Sequence, residues 1–415
     1  MHRRLFMLLF IALTLAVVRA DGQTTVIKAG RLVNPETGTT ELNQIIVVEN
    51  GKIKALGQNL AVPAGAQVID LSRSTVMPGL FDMHTHLCMA VQKERDNGAY
   101  FYTTLRDPDS FRSIEGVVNA RDMLASGFTS VRDVGNEGNY ACTSVRRAIQ
   151  LRMVPGPTMF NAGRIIAPYG GQFHLQPDKQ NLAEPEYFFA DTRDEMLKAV
   201  RENIHYGATL IKIVVDDQRY IYSTDDIRFI INEAHKVGLK VAAHCWTHPG
   251  AHNAAEAGVD SIEHGPMMTD EDLELAKKNN VVLVGTDYVS LLDKENHAQW
   301  IDRLKRAYRI GVTMAYGTDV IDIVEGQTRG TVSMTGIDPW IEAGIPPKTL
   351  LQAMTINAAR LLGVDKVRGT LRPGMAADII ATPDNPLENL NTLKKVSFVM
   401  KNGVVFKRAD EITSR

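Results

Sequence analysis

Six residues of this chain, His84, His86, Lys212, His244, His264 and Asp319, each stand at or near the end of a short apolar run that reads as a β-strand. Side chains so far apart in sequence can meet only if those strands lie side by side and end at one edge, which restricts the fold sharply. Four imidazoles, a lysine and a carboxylate make a ligand set for two divalent metal ions. The lysine is the unusual member. An ammonium group has three donors and no acceptor, so it cannot hold a cation. It becomes a ligand if CO2 adds to its amine, giving N6-carboxylysine, a carbamate whose two anionic oxygens can bridge two metals.

The pattern around these residues agrees with that picture. Between about 77 and 365, strand-like and helix-like runs alternate, with strands expected at 79–83, 129–134, 158–162, 210–215, 241–244, 261–264, 281–284 and 313–316. One helix shows the grammar. Ser223 and Asp226 form a capping-box start, Ile227, Ile230, Ile231, Ala234 and Val237 form an apolar stripe, and Gly238 stops it. His235 is expected on its solvated face. The stretch 163–190, rich in Gly, Pro, Tyr and Phe, reads as a long loop. Both ends of the chain are β-rich, at 25–29, 44–48 and 52–56 and again at 374–381, 396–400 and 404–406. Asn50-Gly51 and Asn402-Gly403 supply hairpin turns. The expected fold class is therefore α/β: a TIM (β/α)8 barrel over 77–368, with a small β-sandwich built from 21–76 and 369–415.

Composition excludes several classes. The net charge of −2 comes with no basic stripe and no polybasic run, which argues against nucleic-acid partners. Residues 1–20 read as a secretory signal peptide: a basic start at His2-Arg3-Arg4, an apolar stretch from Leu5 through Val18 that is short for a membrane span, and permissive residues at Val18-Arg19-Ala20. A secreted or periplasmic protein, without stable membrane association once the leader is removed, is expected. Cys88, Cys142 and Cys245 are odd in number, so they read as buried small hydrophobes rather than a disulfide framework.

Local alternation aims the ligands. Residues two apart in a strand point the same way, so His84 and His86 face one side. In Leu210-Ile211-Lys212-Ile213-Val214-Val215 the β-branched face of 211, 213 and 215 suits packing under helices, which turns Lys212 inward. Desolvation there lowers the lysine pKa and favours the neutral amine, the form that adds CO2. A buried ion pair with an acid such as Asp133 is the plainer alternative for Lys212, a satisfied core histidine for His244 or His264 taken singly, and a helix N-cap for Asp319. The order His-X-His, Lys, His, His, Asp is more specific than any one member.

With those residues, the chain resembles the amidohydrolase superfamily, in particular its imidazolonepropionase-like and Xaa-Pro dipeptidase-like branch of metal-dependent hydrolases. The resemblance runs through Met77-Pro78-Gly79-Leu80-Phe81-Asp82-Met83-His84-Thr85-His86, Ala257-Gly258-Val259-Asp260-Ser261-Ile262-Glu263-His264-Gly265, Gly317-Thr318-Asp319, 355–363 and Gly374-Met375-Ala376-Ala377-Asp378. It implies that His84 and His86 bind the more buried metal and His244 and His264 the more exposed one. The Lys212 carbamate would bridge them, with Asp319 at the first. Zinc is the default ion for these ligands, with manganese or cobalt as alternatives. Two departures bear on substrate. Trp246 stands where relatives often carry Tyr or His, and Asp216-Asp217-Gln218-Arg219-Tyr220-Ile221-Tyr222 stands where they often carry a Gly-Gly loop.

The secondary candidates are His174, in Gly170-Gly171-Gln172-Phe173-His174, for the substrate carbonyl or carboxylate, and Arg164, Arg219, Tyr220, Tyr222 and Trp246 for substrate contact. His248 and His252 are four apart and are expected on a solvated first turn. The resulting expectation is a binuclear hydrolase. It cleaves an amide or peptide bond before a C-terminal amino acid by attack of a metal-bridging hydroxide, and Asp319 shuttles the proton. A lactone or phosphoester hydrolase, a mononuclear deaminase and a non-catalytic binding protein are the alternatives, and homo-oligomerisation is left open.

Overall fold

The computed structural model describes residues 24–408; the expected leader lies outside the described residues. Among the described residues there are sixteen strands, the first five in unbroken succession and most of the rest separated by helices. The first four are β1 (Thr25–Asn34), β2 (Thr39–Glu49), β3 (Lys52–Gly57) and β4 (Gln67–Pro78). The middle of the chain supplies β5 (Leu80–Thr85), β6 (Phe128–Asp133), β7 (Thr158–Asn161), β8 (Ile165–Ala167) and β9 (Tyr187–Phe189). It continues with β10 (Leu210–Val214), β11 (Lys240–Cys245), β12 (Ser261–His264) and β13 (Val282–Val284). The last three are β14 (Ile379–Thr382), β15 (Phe398–Lys401) and β16 (Val404–Lys407).

The two chain ends share one seven-stranded sheet in the order β16-β15-β14-β4-β1-β2-β3. Ile27, Ile46, Val48, Ile69, Met375, Ile379 and Phe398 form its own buried cluster. Both Asn-Gly turns take positive φ at each central residue, 51° and 76° at Asn50-Gly51 and 48° and 77° at Asn402-Gly403, as a type I′ hairpin requires. The turns also touch: a Cβ on Gly403 would sit 2.8 Å from the Gly51 Cα, so neither glycine can be enlarged. Of the run expected as a strand at 374–381, only its second half is one. Ala376 makes a single bridge to Lys52, and Met375 and Ala377 tie the turn to Ile53 and Gly51.

The middle holds two parallel sheets, β5-β6-β7 and β13-β12-β11-β10-β8-β9. Backbone bonds link their edges. Thr209 N donates to Asn161 O at 2.8 Å on one side. On the other, Leu283 N donates to Thr313 O at 2.9 Å and Met83 N to Tyr316 O at 2.8 Å. The segment expected as an eighth strand at 313–316 is thus an isolated parallel bridge, Met314 to Leu283, rather than a full strand. Residues 163–190 are not a plain loop. They carry β8, a 3-10 turn (Pro177–Ala183) and β9, because Ile165, Ile166, Phe188 and Phe189 have strand chemistry and extend the sheet beyond β10.

The helix at Thr224–His235 starts with the expected Ser223–Asp226 capping box and buries Ile227, Ile230, Ile231 and Ala234. Val237 lies past its end and is 55% exposed, so it is not part of the stripe. His235 pairs with Asp260 at 2.7 Å. All three cysteines are free and buried. Among the described residues, no helix is long and apolar enough to cross a membrane.

Candidate metal centre

The parallel register brings the six residues together. Val214 of β10 pairs with His244 of β11, and Cys245 pairs with His264 of β12, so successive strand ends stand level. His84 and His86 come from β5 and the residue after it, and Asp319 follows the bridge at Met314. Asp319 N donates to His84 O at 2.8 Å, which fixes the aspartate beside the His-X-His pair. His264 and Asp319 hold φ of 65° and 60°, a region that non-glycine residues rarely take and that costs of order 1–3 kcal/mol. Such strain persists where the surroundings over-determine it.

The six line a cavity of about 160 Å³, together with Met89, Tyr100, Asn136, Gln172, Trp246 and Ile321. His84 Nε2 and His86 Nε2 lie 3.7 and 3.2 Å from Asp319 Oδ1. His264 Nδ1 lies 3.9 Å from Asp319 Oδ2. The ring centroids of His264 stand 4.8 Å from His84 and 4.5 Å from His244. Donor atoms around a tetrahedral zinc at ~2.1 Å are ~3.4 Å apart, so the His84–His86–Asp319 spacing is cation-sized. His244 Nε2 is buried with no hydrogen-bond partner, although Asp217 Oδ2 is 3.0 Å away. An orphaned buried imidazole nitrogen is costly unless something else, such as a metal ion, satisfies it.

Groups behind the rings set their orientation. His84 Nδ1 is 2.8 Å from Glu263 Oε2, His86 Nδ1 is 2.7 Å from Gly135 O, and His264 Nδ1 is 2.8 Å from Thr286 Oγ1. Holding Nδ1 fixes the ring and leaves Nε2 to face a cation. Glu263 is itself pinned by Arg132 Nη2 at 2.7 Å and by Ser261 Oγ at 2.5 Å. Asp82 accepts from His84 N, Thr318 N and Thr318 Oγ1, tying β5 to the segment that carries Asp319.

The electrostatics suit cation binding. Burial, with Lys212 nearby, pulls His84 down to about 4, and burial takes His264 well below the usual histidine range, so both rings are neutral acceptors at pH 7. Burial raises Glu263, but Arg132 and His84 outweigh it and hold the carboxyl at about 2. Burial likewise raises Asp319, and His84, His86 and Lys212 reverse that, leaving it below the usual carboxylate range. Burial brings Lys212 down to about 8; Glu263 and Asp319 oppose this only through space, with no hydrogen bond to either. The plainer alternative for Lys212, an ion pair with Asp133, is not what the fold makes. Asp133 instead accepts from Leu87 N at 2.6 Å.

The substrate candidates are placed differently. Trp246 lines the cavity, with its ring nearly parallel to His244 at 6.2 Å. His174 is exposed and outside the lining, and Gln172 of the same segment is there instead. Arg164 is spent on Tyr187 O and the Phe188 ring. Tyr222 is buried and donates to Ala190 O at 2.6 Å, because the chain after β10 folds back on Val215. Tyr220 and Arg219 are exposed. His248 and His252 both bond to Asp272, at 2.6 and 3.0 Å, on the outer helix His248–Ala257. Sequence reasoning missed Glu263, Arg132, Thr286 and Asp82, which support the rings, and Tyr100, Asn136 and Gln172, which border the cavity. Glu263 alone carried a signal, a carboxylate adjacent to a strand-end histidine. A larger cavity of about 630 Å³, between 146–159 and Lys401–Phe406, has no histidine, cysteine or carboxylate in its lining and cannot do this chemistry.

Comparisons with known proteins show what the whole chain is similar to. The chain is 28% identical over 440 aligned residues to the ochratoxinase of Aspergillus niger, covering 93% of this chain and 87% of that one. It is 25% identical to the imidazolonepropionase of Brevibacillus brevis, covering 91% and 94%. Among solved structures, a Xaa-Pro dipeptidase with bound methionine in its active site superposes with a TM-score of 0.83 at 28% identity, covering 93% of this chain and 100% of that one. The profile of the Amidohydrolase family matches residues 75–406. A match over that much of the chain means that this chain belongs to the amidohydrolase family.

Proposed function

We propose that this hydrolase cleaves an amide or peptide bond before a C-terminal amino acid, in a short peptide, dipeptide or N-acyl amino acid, at a two-metal centre. One observation carries the reading: Lys212, inward, buried and held near pKa 8, stands among four histidines and an aspartate with no carboxylate bonded to it. The names of the relatives support the bond class, since an ochratoxinase and a Xaa-Pro dipeptidase are among them. The fold reading is a closed (β/α)8 barrel over 77–368, flanked by a β-sandwich from 21–76 and 369–415. It is supported by the backbone links between the two parallel sheets and by the shared terminal sheet.

His84, His86 and Asp319 would hold one cation, His244 and His264 the other, and Lys212, as N6-carboxylysine, both. Two divalent ions, zinc by default, would polarise the scissile carbonyl and make water nucleophilic near neutral pH. The chain's own residues do the rest. Asp319 Oδ1 faces the His84–His86 pair, leaving Oδ2 to take the proton of the attacking water and return it to the leaving nitrogen. Tyr100, whose buried hydroxyl has no hydrogen-bond partner, and Trp246 border the space where the oxyanion develops. Glu263, Gly135 and Thr286 keep the rings from turning. An exported location suits scavenging or detoxification. The test is elemental analysis of protein purified without chelator, with a dipeptide and N-acyl-amino-acid library on the metal-loaded protein. Two metal equivalents and amide turnover are expected; one equivalent at full activity would refute the two-metal centre.

A further inference from the structure

We infer that Asp217 is a further protein ligand of the cation held at His244, an addition to the six-residue set on whose two-cation reading it rests. Asp217 follows β10 by three residues and holds φ at 111°, where side chains are strongly disfavoured. An aspartate kept at such a position without a compensating contact is a net loss to the fold. Its contacts show what it is aimed at. Oδ2 stands 3.0 Å from the His244 Nε2 that is buried and lacks a hydrogen-bond partner. The same oxygen accepts from Gln172 Nε2 at 2.8 Å, and the neighbouring Gln218 Nε2 bonds Gly171 O at 2.7 Å. The Gly170–Gln172 segment therefore clamps the aspartate in place, as outer groups orient a metal-ligating carboxylate.

The 3.0 Å separation is somewhat shorter than the ~3.4 Å between donors that share a tetrahedral zinc, and it is the angle at the ring, which makes no hydrogen bond to Oδ2, that leaves both atoms free to turn to a cation. Asp216 does not compete for this role. Its carboxylate is used up on Trp246 N, Thr247 N and Thr247 Oγ1 at 2.7–2.8 Å. An anionic oxygen added beside His244 and His264 would strengthen the more exposed cation site, which otherwise has two neutral rings and a share of the carbamate.

The test compares the wild-type full chain with Asp217→Asn and Asp217→Gly, each stripped of metal, supplied with bicarbonate and titrated with Zn2+ or Co2+ against a chromophoric chelator. Melting curves are taken without metal. Support is a first affinity unchanged and a second weakened at least ~10-fold in both variants, the scale on which groups orienting metal ligands are felt. Asp217→Gly should also melt at or above the wild type without metal, since glycine accepts φ of 111°. A wild type that takes up two ions, with variants that match it within twofold, overturns the Asp217 assignment alone. A wild type that takes up a single ion overturns the two-cation reading and this ligand with it. Variants that bind both ions normally but melt well below the wild type would make Asp217 a structural residue and equally overturn the proposal.

Discussion

The Lys212 amine should be reactive toward CO2 near neutral pH, and this can be measured. With a pKa of about 8 instead of the ordinary 10.5, about 9% of the amine is neutral at pH 7, against about 0.03% for an unshifted lysine, a gain of roughly 300-fold. Protein freed of metal and CO2, then given zinc at a fixed CO2 pressure, should regain activity only when CO2 is present. The rate should rise about tenfold per pH unit below pH 8 and level off above it. Carbon-13-labelled CO2 would report the carbamate directly. Stability gives a second readout. Because the folded pKa lies below the unfolded one, the unfolded chain binds more protons between pH 8 and 10.5, so metal-free stability rises with pH across that window. The drop from 10.5 to about 8 corresponds to about 3 kcal/mol. Lys212→Met should lack that slope, bind less metal and lose nearly all turnover. Recovery that ignores CO2, or a rate that keeps climbing tenfold per unit through pH 10, would refute the reasoning.

Other outcomes follow from the same site. Asp319→Asn should fold, keep at least one metal and lose ~100- to 10,000-fold in amide turnover. It should lose less on an ester with a good leaving group, and equal losses on both would mean damaged metal binding. Glu263→Gln removes the partner of fully buried Arg132 and should cost about 3–5 kcal/mol in chemical denaturation. It should also weaken the cation at His84, whose ring must then compete with Arg132 for a single neutral acceptor oxygen. His174→Ala changes an exposed residue outside the cavity. It should shift stability by less than about 0.5 kcal/mol and leave turnover unchanged; a large loss in turnover would return His174 to the site.

The linear chain determined which residues could carry the chemistry. A histidine, lysine or aspartate closing an apolar run is visible without coordinates, because strand alternation and burial cost are local rules. The Asn-Gly hairpins and the Ser223 cap were legible for the same reason: each depends on neighbours within four residues. What only the tertiary structure decided is what stands behind and around those groups. Glu263 orients His84 from 179 positions away, and Arg132 holds Glu263 from another 131, and no periodicity encodes such pairings. The strands at 165–167 and 187–189 were hidden because three residues are too few to show alternation, and it is the neighbouring sheet edge that makes them strands. Tyr222 and Arg164 looked like substrate contacts in sequence, but the return of the chain over Val215 and the Phe188 ring absorbed them. Asp217 is the sharpest case. Its residue type was readable, but its positive φ and its approach to His244 exist only once β10 and β11 lie side by side.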